Sequence, residues 1–137
     1  MKRGESMERR IVNPWEWQKE LGFVQANDLT GVKRIVFCAG QVSVDGEGKP
    51  LHPGEMVPQI MQALDNLETV LQHAGVKLAD VVRMNYYTTD IPAFRNAEPL
   101  LKERLEKSGC RPVSTLIGVV ALYDPDIVVE IEATAVL

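Results

Sequence analysis

The apolar positions of the chain form two helical stripes between segments whose pattern is typical of strands. The clearer stripe follows residue 55, where apolar residues recur at alternating spacings of three and four and fill one side of a helix. Its members are Val57, Ile60, Leu64, Leu67, Leu71 and Ala74. Gly75 ends this helix, because glycine readily adopts the left-handed backbone of a helix C-terminus. A second helix is predicted from about Asn96, as its N-cap, to about Lys107, with Pro99 in the first turn.

Segments rich in β-branched and aromatic residues predict the strands of a sheet. They span residues 10–13, 21–26, 34–39, 81–88, 113–122 and 127–136. This order of strands and helices predicts an α/β (α+β) domain with a mixed sheet and both helices on one face. The opposite face would then carry apolar residues such as Val128, Tyr86 and Cys38. A sheet face of that character favours an oligomer, because it is too apolar to remain in water.

Length, charge and hydropathy narrow the class of protein. A chain of 137 residues suits one domain, expected at residues 11–137 after a disordered or extended tail at residues 1–10. The 15 Lys and Arg against 19 Asp and Glu give a net charge of −4, which disfavours a nucleic-acid partner. No apolar run approaches the roughly 20 residues of a membrane helix, so no membrane partner is expected. The basic start lacks the apolar stretch of a secretory signal, and the cytoplasm is the expected compartment.

The few cysteines and histidines show no metal-ligand or catalytic spacing. Cys38 lies in an apolar run and is expected to be buried, whereas Cys110 follows Ser108-Gly109 in a turn where it could be exposed. His52 and His73 are expected at the surface, since neither has a second ligand at metal spacing. The sequence therefore predicts neither a metal site nor a nucleophilic cysteine.

A set of short motifs extends over nearly the whole chain, from about residue 23 to residue 135. The motifs are Val36-Phe37-Cys38-Ala39-Gly40-Gln41, Gln62-Ala63-Leu64-Asp65-Asn66-Leu67, Ala74-Gly75, Asp80-Val81-Val82-Arg83, Thr88-Thr89-Asp90 and Val129-Glu130-Ile131-Glu132-Ala133. In order and spacing they resemble the YjgF/RidA (Rid) family of imine and enamine deaminases. The resemblance implies a chorismate-mutase-like fold assembled as a homotrimer, with ligand clefts between neighbouring subunits. It also implies hydrolysis of a reactive imine or enamine, or binding of a related carboxylate, with no cofactor and no metal.

One position departs from the family's best deaminases, which carry a carboxylate-binding arginine in a Pro-Ala-Arg-Ser segment. Here the segment reads Pro112-Val113-Ser114-Thr115, so Ser114 stands at the arginine's position. A hydroxyl can hydrogen-bond an oxyanion but lacks the charge and the bidentate geometry of a guanidinium. Arg111 lies three residues earlier, so its side chain leaves an extended strand on the opposite face unless a bulge re-aims it. The substrate is therefore expected not to be 2-aminoacrylate.

The resemblance assigns the other site residues position by position. Glu130 matches the glutamate thought to position or activate water. Glu130 and Glu132 share one strand face, and their mutual repulsion could raise the pKa of one of them. Phe23 replaces a family tyrosine and Ala39 a family serine, so both positions lack a hydroxyl. The predicted substrate contacts are Phe23, Ala39, Gly40, Asn96, Ser114 and Leu116.

Each assignment has a purely structural alternative. Glu130 could be a solvated or salt-bridging carboxylate, and Asn96 could be only a helix cap. Trp15 and Trp17 could line the cleft, although packing on the core is the favoured expectation for them.

These residues are compatible with two functions. The first is a homotrimeric deaminase in which Glu130 orients water towards an imine or enamine metabolite. The second is a non-catalytic trimer that binds or senses a small metabolite in the same cleft, as the hydroxyl and charge losses at Ser114, Phe23 and Ala39 would allow. A third function attached to relatives, ribonuclease activity or inhibition of translation, is disfavoured by the acidic charge and the lack of a basic aromatic stripe.

Overall fold

A computed structural model describes residues 6–137 of the chain. The elements in chain order are β1 (Glu8–Val12), β2 (Ala26–Thr30), β3 (Ile35–Gln41), α1 (Met56–His73), β4 (Val81–Thr88), α2 (Ile91–Lys107), β5 (Leu116–Gly118) and β6 (Val129–Val136). Short 3₁₀ turns lie at Glu16–Glu20 and Leu78–Asp80. Of the tail expected at residues 1–10, residues 1–5 lie outside the described residues, and Glu8 to Arg10 lie in β1. Neither described helix combines the length and apolar character needed to cross a membrane.

The main sheet has four strands in the order β3-β6-β4-β5. Its β3–β6 and β4–β6 pairs are antiparallel and its β4–β5 pair is parallel, so the predicted mixed sheet is confirmed. Strands β1 and β2 form a separate antiparallel ribbon. Two side chains of the ribbon reach the main chain beside the sheet: Arg9 donates to the Ala79 carbonyl at 3.1 Å, and Asn27 donates to the Val82 carbonyl at 2.9 Å.

The core lies between the main sheet and both helices, which pack on the same face. Helix α1 buries Ile60, Leu64, Leu67 and Leu71 completely, and α2 buries Phe94, Ala97, Leu101 and Leu105. Each large apolar side chain contributes about 1.5–3 kcal/mol when fully buried, so these two stripes fix the helices to the sheet. The predicted end of α1 is also confirmed, because Gly75 follows it with a φ of +77°.

Helix α2 begins six residues earlier than the sequence predicts, counted from N-cap to N-cap. Asp90 is its N-cap and accepts a hydrogen bond from the Ala93 backbone N–H at 3.0 Å, with Pro92 in the first turn. The predicted N-cap, Asn96, is an exposed residue inside the helix, and so is Pro99. Both segments carry a cap residue followed by proline, and the earlier one prevails because starting there brings Phe94 into the core.

Two predicted strands are wrong in extent. Residues 21–25 form no strand, and β2 begins only at Ala26. The predicted strand at residues 113–122 is reduced to β5, although Val113 makes one parallel bridge with Arg83. After β5 the chain leaves the sheet, and the side chains of Val120 and Tyr123 project fully into the surroundings.

The second face of the sheet, here called the open face, is uncovered in the protomer, but its residues differ from those predicted. Tyr86 and Cys38 are buried on the helix side, and Val128 packs against the same core. The apolar residues of the open face are instead Ile35, exposed by 55%, and Phe37, exposed by 79%. Alternation along a strand defines two sets of side chains without saying which set meets the helices, and here the other set does.

Candidate functional site

A cavity of about 580 Å³ lies between α2, the start of β5 and the segment that follows the first 3₁₀ turn. Its apolar lining comprises Leu21, Phe23, Tyr86, Phe94, Leu101, Leu105 and Leu116. Tyr86 and Phe94 pack with ring centroids 5.2 Å apart, which gives the cavity an aromatic floor. A cavity of this size lies in the range of small-molecule sites, which are mostly apolar with a few oriented polar groups.

The polar group inside this cavity is the hydroxyl of Ser114. Its Oγ is buried, and it has no hydrogen-bond partner within residues 6–137. The neighbouring Tyr86 phenol donates to Met84 Sδ at 3.1 Å. Burial raises the pKa of that phenol far above its usual value, and the nearby Ser114 hydroxyl partly offsets this rise. An unpartnered buried hydroxyl costs free energy, so Ser114 is available to a ligand's polar atom.

Glu130 lies on the open face of β6, opposite Tyr87 of β4. Its side chain lies directly over Gly40, where β3 is irregular between Cys38 and Gln41. A Cβ placed on Gly40 would stand 2.6 Å from Glu130 Cδ and 2.8 Å from Cγ. The absence of a side chain at Gly40 is therefore what gives the Glu130 carboxylate its position.

The electrostatics around Glu130 raise the pKa of its carboxyl group, which makes its carboxylate a stronger proton acceptor. Partial burial raises its pKa, and the negative charge of Glu132 raises it further. Glu132 is itself held by two donors: the Tyr87 phenol, and Asn85 Nδ2 at 3.3 Å. Asn85 is oriented in turn, because its Oδ1 accepts from the Thr115 backbone N–H at 3.1 Å. Glu132 thus acts as a fixed charge beside a less constrained Glu130.

The predicted site residues divide between the two faces of the sheet. Phe23, Ser114 and Leu116 line the cavity on the helix side. Glu130 and Gly40 lie together on the open face, where Ala39 is also exposed. The two groups are separated by the sheet itself within one protomer. A molecule in the cavity of one protomer can therefore meet Glu130 only if a second protomer supplies it.

Two further residues considered in the sequence lie outside the cavity. Asn96 projects from the exposed side of α2 and does not line the cavity. Arg111 lines a separate hollow of about 330 Å³ on the other side of Phe23. Its backbone carbonyl accepts hydrogen bonds from Arg9 and Asn27, which fix the chain there. Within one protomer, Arg111 therefore does not line the cavity that contains Ser114.

The sequence pattern does not predict the charged residues at the cavity rim. They are Glu20, Arg95, Glu98 and Lys102. The last three belong to α2 and follow one another at spacings of three and four, which places them on one side of the helix. The Asp90-Ile91-Pro92 segment is the sequence feature that predicts them, because a helix that begins there includes Arg95 and places it beside the cavity.

The cysteines and histidines do not line the cavity. Cys38 and Cys110 are both buried, and burial raises the pKa of the Cys110 thiol to about 12, so the exposure considered for Cys110 is wrong. His52 and His73 are exposed as expected, and residues 6–137 contain no cluster of three or more potential metal ligands.

The prediction that the two tryptophans pack on the core is wrong. Trp15 and Trp17 do not pack on the core: they stack on each other at 5.7 Å and remain exposed by 52% and 60%. The 3₁₀ turn that carries them directs Gln18 inward instead, where its side-chain amide donates to the Phe23 carbonyl at 2.7 Å.

The fold and the site define a class of protein: an α+β domain with two helices on one face of a mixed sheet and a small-molecule cavity beneath the second helix. The family model described as endoribonuclease L-PSP matches residues 18–137. The chain therefore belongs to the YjgF/RidA/RutC family, with the chorismate-mutase-like fold that the resemblance implied.

Individual relatives agree with this assignment. The chain is 29% identical over 104 residues to a RutC family protein of Pyrococcus abyssi, which covers 76% of this chain and 80% of that protein. It is 27% identical over 115 residues to the 2-iminobutanoate/2-iminopropanoate deaminase of Escherichia coli, covering 83% and 86%. Among solved structures, the Rid family protein YyfB from Yersinia pestis matches with a TM-score of 0.85 and 33% identity, covering 94% and 98%.

Proposed function

We propose that this protein hydrolyses a reactive imine or enamine to a carbonyl compound and ammonia, in clefts between the subunits of a homotrimer. Each cleft combines the apolar cavity of one protomer with Glu130 of its neighbour. The observation that carries the proposal is the placement of Glu130: its side chain lies over Gly40 on an otherwise uncovered sheet face, and partial burial raises the pKa of its carboxyl group. Membership of a family whose relatives include imine deaminases supports the same reaction.

The chemistry follows from the groups available. The substrate's carbon skeleton occupies the apolar cavity, and the Ser114 hydroxyl hydrogen-bonds one of its polar atoms. An enamine takes a proton from solvent on carbon and becomes an iminium ion. Glu130 accepts a proton from a water molecule as the water oxygen bonds to the iminium carbon, and the C=N π electrons move onto nitrogen, which gives a neutral carbinolamine. Protonated Glu130 then gives its proton to the amine nitrogen, the C–N bond breaks, and ammonia leaves as the hydroxyl oxygen forms the C=O bond and loses its proton to the Glu130 carboxylate, which returns it to solvent.

The contact between Gly40 and Glu130 gives a specific test of this role. Gly40→Ala places a methyl group where Glu130 Cδ and Cγ now lie, so the flexible Glu130 side chain must move. We expect kcat to fall by about 10-fold to 100-fold, because misplacing a catalytic group by about 1 Å has effects of that order. The melting temperature should change little. The measurement is steady-state kinetics with a substrate of the wild-type protein.

Gly46→Ala is the matched control for that variant. Gly46 lies in the turn after β3, has no heavy atom within 4 Å of an added Cβ, and does not need a positive φ. It should retain wild-type kcat and stability. Equal activity in the Gly40 and Gly46 variants would contradict the placement of Glu130 at the reacting water.

A panel of imines tests the activity itself and its specificity. Amino-acid oxidases generate 2-imino acids with side chains of different size, and 2-aminoacrylate serves as the small reference. We expect the wild-type protein to accelerate loss of the larger imines and to act weakly on 2-aminoacrylate. Ser114→Arg should raise kcat/KM for 2-aminoacrylate by about 10-fold to 100-fold, because a charge-assisted hydrogen bond contributes about 1.5–3 kcal/mol.

The outcomes of that panel are distinct. If every imine decays at its spontaneous rate with both the wild-type protein and Ser114→Arg, the proposed deaminase activity is contradicted. Ligand-dependent thermal stabilisation without turnover would instead favour the second candidate, a non-catalytic binding or sensing trimer. The specific feature favouring that candidate is the uncharged lining around Ser114 and Phe23, which offers binding surface without the family's carboxylate-binding arginine.

A further inference from the structure

The rim of the cavity carries four charged side chains whose formal charges cancel: Glu20, Arg95, Glu98 and Lys102. They are not equally available to a ligand. Lys102 Nζ is 3.8 Å from Glu106 Oε1 and also donates to the Glu20 backbone carbonyl. The described part of the chain gives Arg95 neither an ion pair nor a side-chain hydrogen bond. Among residues 6–137, Arg95 is thus the rim cation with no partner for any of its five N–H donors.

The position of Arg95 on α2 relates this free cation to the apolar interior. Phe94, Leu101 and Leu105 project from the same helix into the core and line the cavity. Arg95 lines the same cavity but is exposed, so it belongs to the rim rather than to the aromatic floor. A molecule with its apolar part against that floor would place a substituent at the rim within reach of a planar, bidentate donor.

We infer that Arg95 is the carboxylate-binding residue of this site, and that the ligand is a 2-imino acid, or its 2-oxo acid product, with a bulky apolar side chain. This inference rests on the proposed deaminase function and names its substrate class. The cation that the chain lacks at Ser114 is supplied from α2, which lines the same cavity. The carboxylate then lies at the rim and the side chain points inward, so the ligand must be long enough to fill the apolar interior.

Glu98 adds a second element of selectivity. It lies three residues after Arg95, one helical turn further along the rim, and it lines the same cavity. A carboxylate at that point repels a second negative charge on the ligand and attracts a protonated imine nitrogen. The rim therefore matches a ligand that carries one carboxylate beside a cationic nitrogen, and it disfavours dicarboxylates.

A pair of substrates that differ only in the carboxylate tests the inference. An amino-acid oxidase makes the 2-imino acid of phenylalanine, and an amine oxidase makes the carboxylate-free imine of phenethylamine. Arg95→Gln should raise KM for the first by about tenfold or more, which corresponds to about 1.4 kcal/mol, and should leave kcat and the second substrate's KM within about twofold. Arg95→Lys, which keeps the charge without the bidentate geometry, should give an intermediate KM.

Lys107→Gln is the matched control. It removes one positive charge from the same helix at an exposed position that pairs with Glu103 at 2.9 Å, away from the cavity. If KM rises equally in the Lys107 and Arg95 variants, the cause is the change in net charge, and the assignment of Arg95 is overturned.

Binding of phenylpyruvate, the corresponding 2-oxo acid, separates this inference from the proposed reaction. Calorimetry should show that wild type binds phenylpyruvate and that Arg95→Gln binds it about tenfold more weakly. That result without turnover of any imine would contradict the deaminase but support Arg95 as the carboxylate-binding residue. Turnover with KM and Kd unchanged in Arg95→Gln would overturn the inference and leave the deaminase intact. Failure of wild type to bind phenylpyruvate would also overturn it.

Discussion

Replacing Glu130 by glutamine should lower kcat for imine hydrolysis by about 10²-fold to 10⁴-fold, the usual contribution of a positioned general base. Glutamine keeps the shape of the side chain over Gly40 but cannot accept a proton from water. KM should change much less, because the apolar cavity that binds the carbon skeleton lies on the other face of the sheet. Steady-state kinetics would measure both constants, and size-exclusion chromatography would check that the assembly is intact.

Glu132→Gln is the control that separates the role of one carboxylate from that of an acidic pair. The charge of Glu132 raises the pKa of Glu130, so removing that charge should lower it. Activity depends on deprotonated Glu130 and is lost as the pH falls through this pKa. The acidic limb of kcat/KM should therefore move to lower pH, while kcat on the plateau stays within about tenfold of wild type. An equally large loss of kcat in both variants would contradict a specific role for Glu130.

A charged residue in place of Phe37 should break the proposed trimer into monomers and abolish activity. Phe37 is 79% exposed in the protomer and lies on the open face of the sheet. An aromatic side chain of this kind contributes about 1.5–3 kcal/mol when it is buried, and three symmetric copies multiply the effect. In Phe37→Asp the same positions would instead have to bury charge. Light scattering coupled to size exclusion would report the mass, and the imine assay would report the activity.

Leu100→Asp is the corresponding control on the opposite side of the molecule. Leu100 is also a partly exposed apolar residue, but it lies on α2 and does not line the cavity. This variant should keep the mass and activity of wild type. A monomeric wild-type protein, or a Phe37→Asp variant that stays trimeric and active, would contradict the assembly.

The sequence predicted those parts of the fold in which local pattern and packing agree. Helix α1 combines an uninterrupted apolar stripe with a terminal glycine, and β6 alternates apolar and polar residues without exception from Val129 to Thr134. The pattern also predicts strand β4, but the prediction that Tyr86 lies on the open face is wrong. This strand carries Tyr86 and Tyr87 in succession, and only the pairing of Tyr86 with Ile131 determines which tyrosine meets the helices.

The candidate site could be predicted only in part for a related reason. The motifs matched Ser114 and Leu116, which do line one cavity, and Glu130 with Gly40, which do touch. Their separation by the sheet depends on strand order and on the irregularity in β3, and neither is encoded by local spacing. Arg95 was missed because a second cap-and-proline pattern at Asn96 moved the predicted start of α2 beyond it.

The division of the site between two sheet faces has a genetic consequence. In the proposed trimer, a subunit damaged at Glu130 still offers a sound cavity, and a subunit damaged in its cavity still offers a sound acid. When both kinds of subunit assemble together, some clefts combine the intact cavity of one subunit with the intact Glu130 of the other. Two alleles that are individually inactive would then complement one another in the same cell, and a heterozygote would keep a fraction of normal turnover.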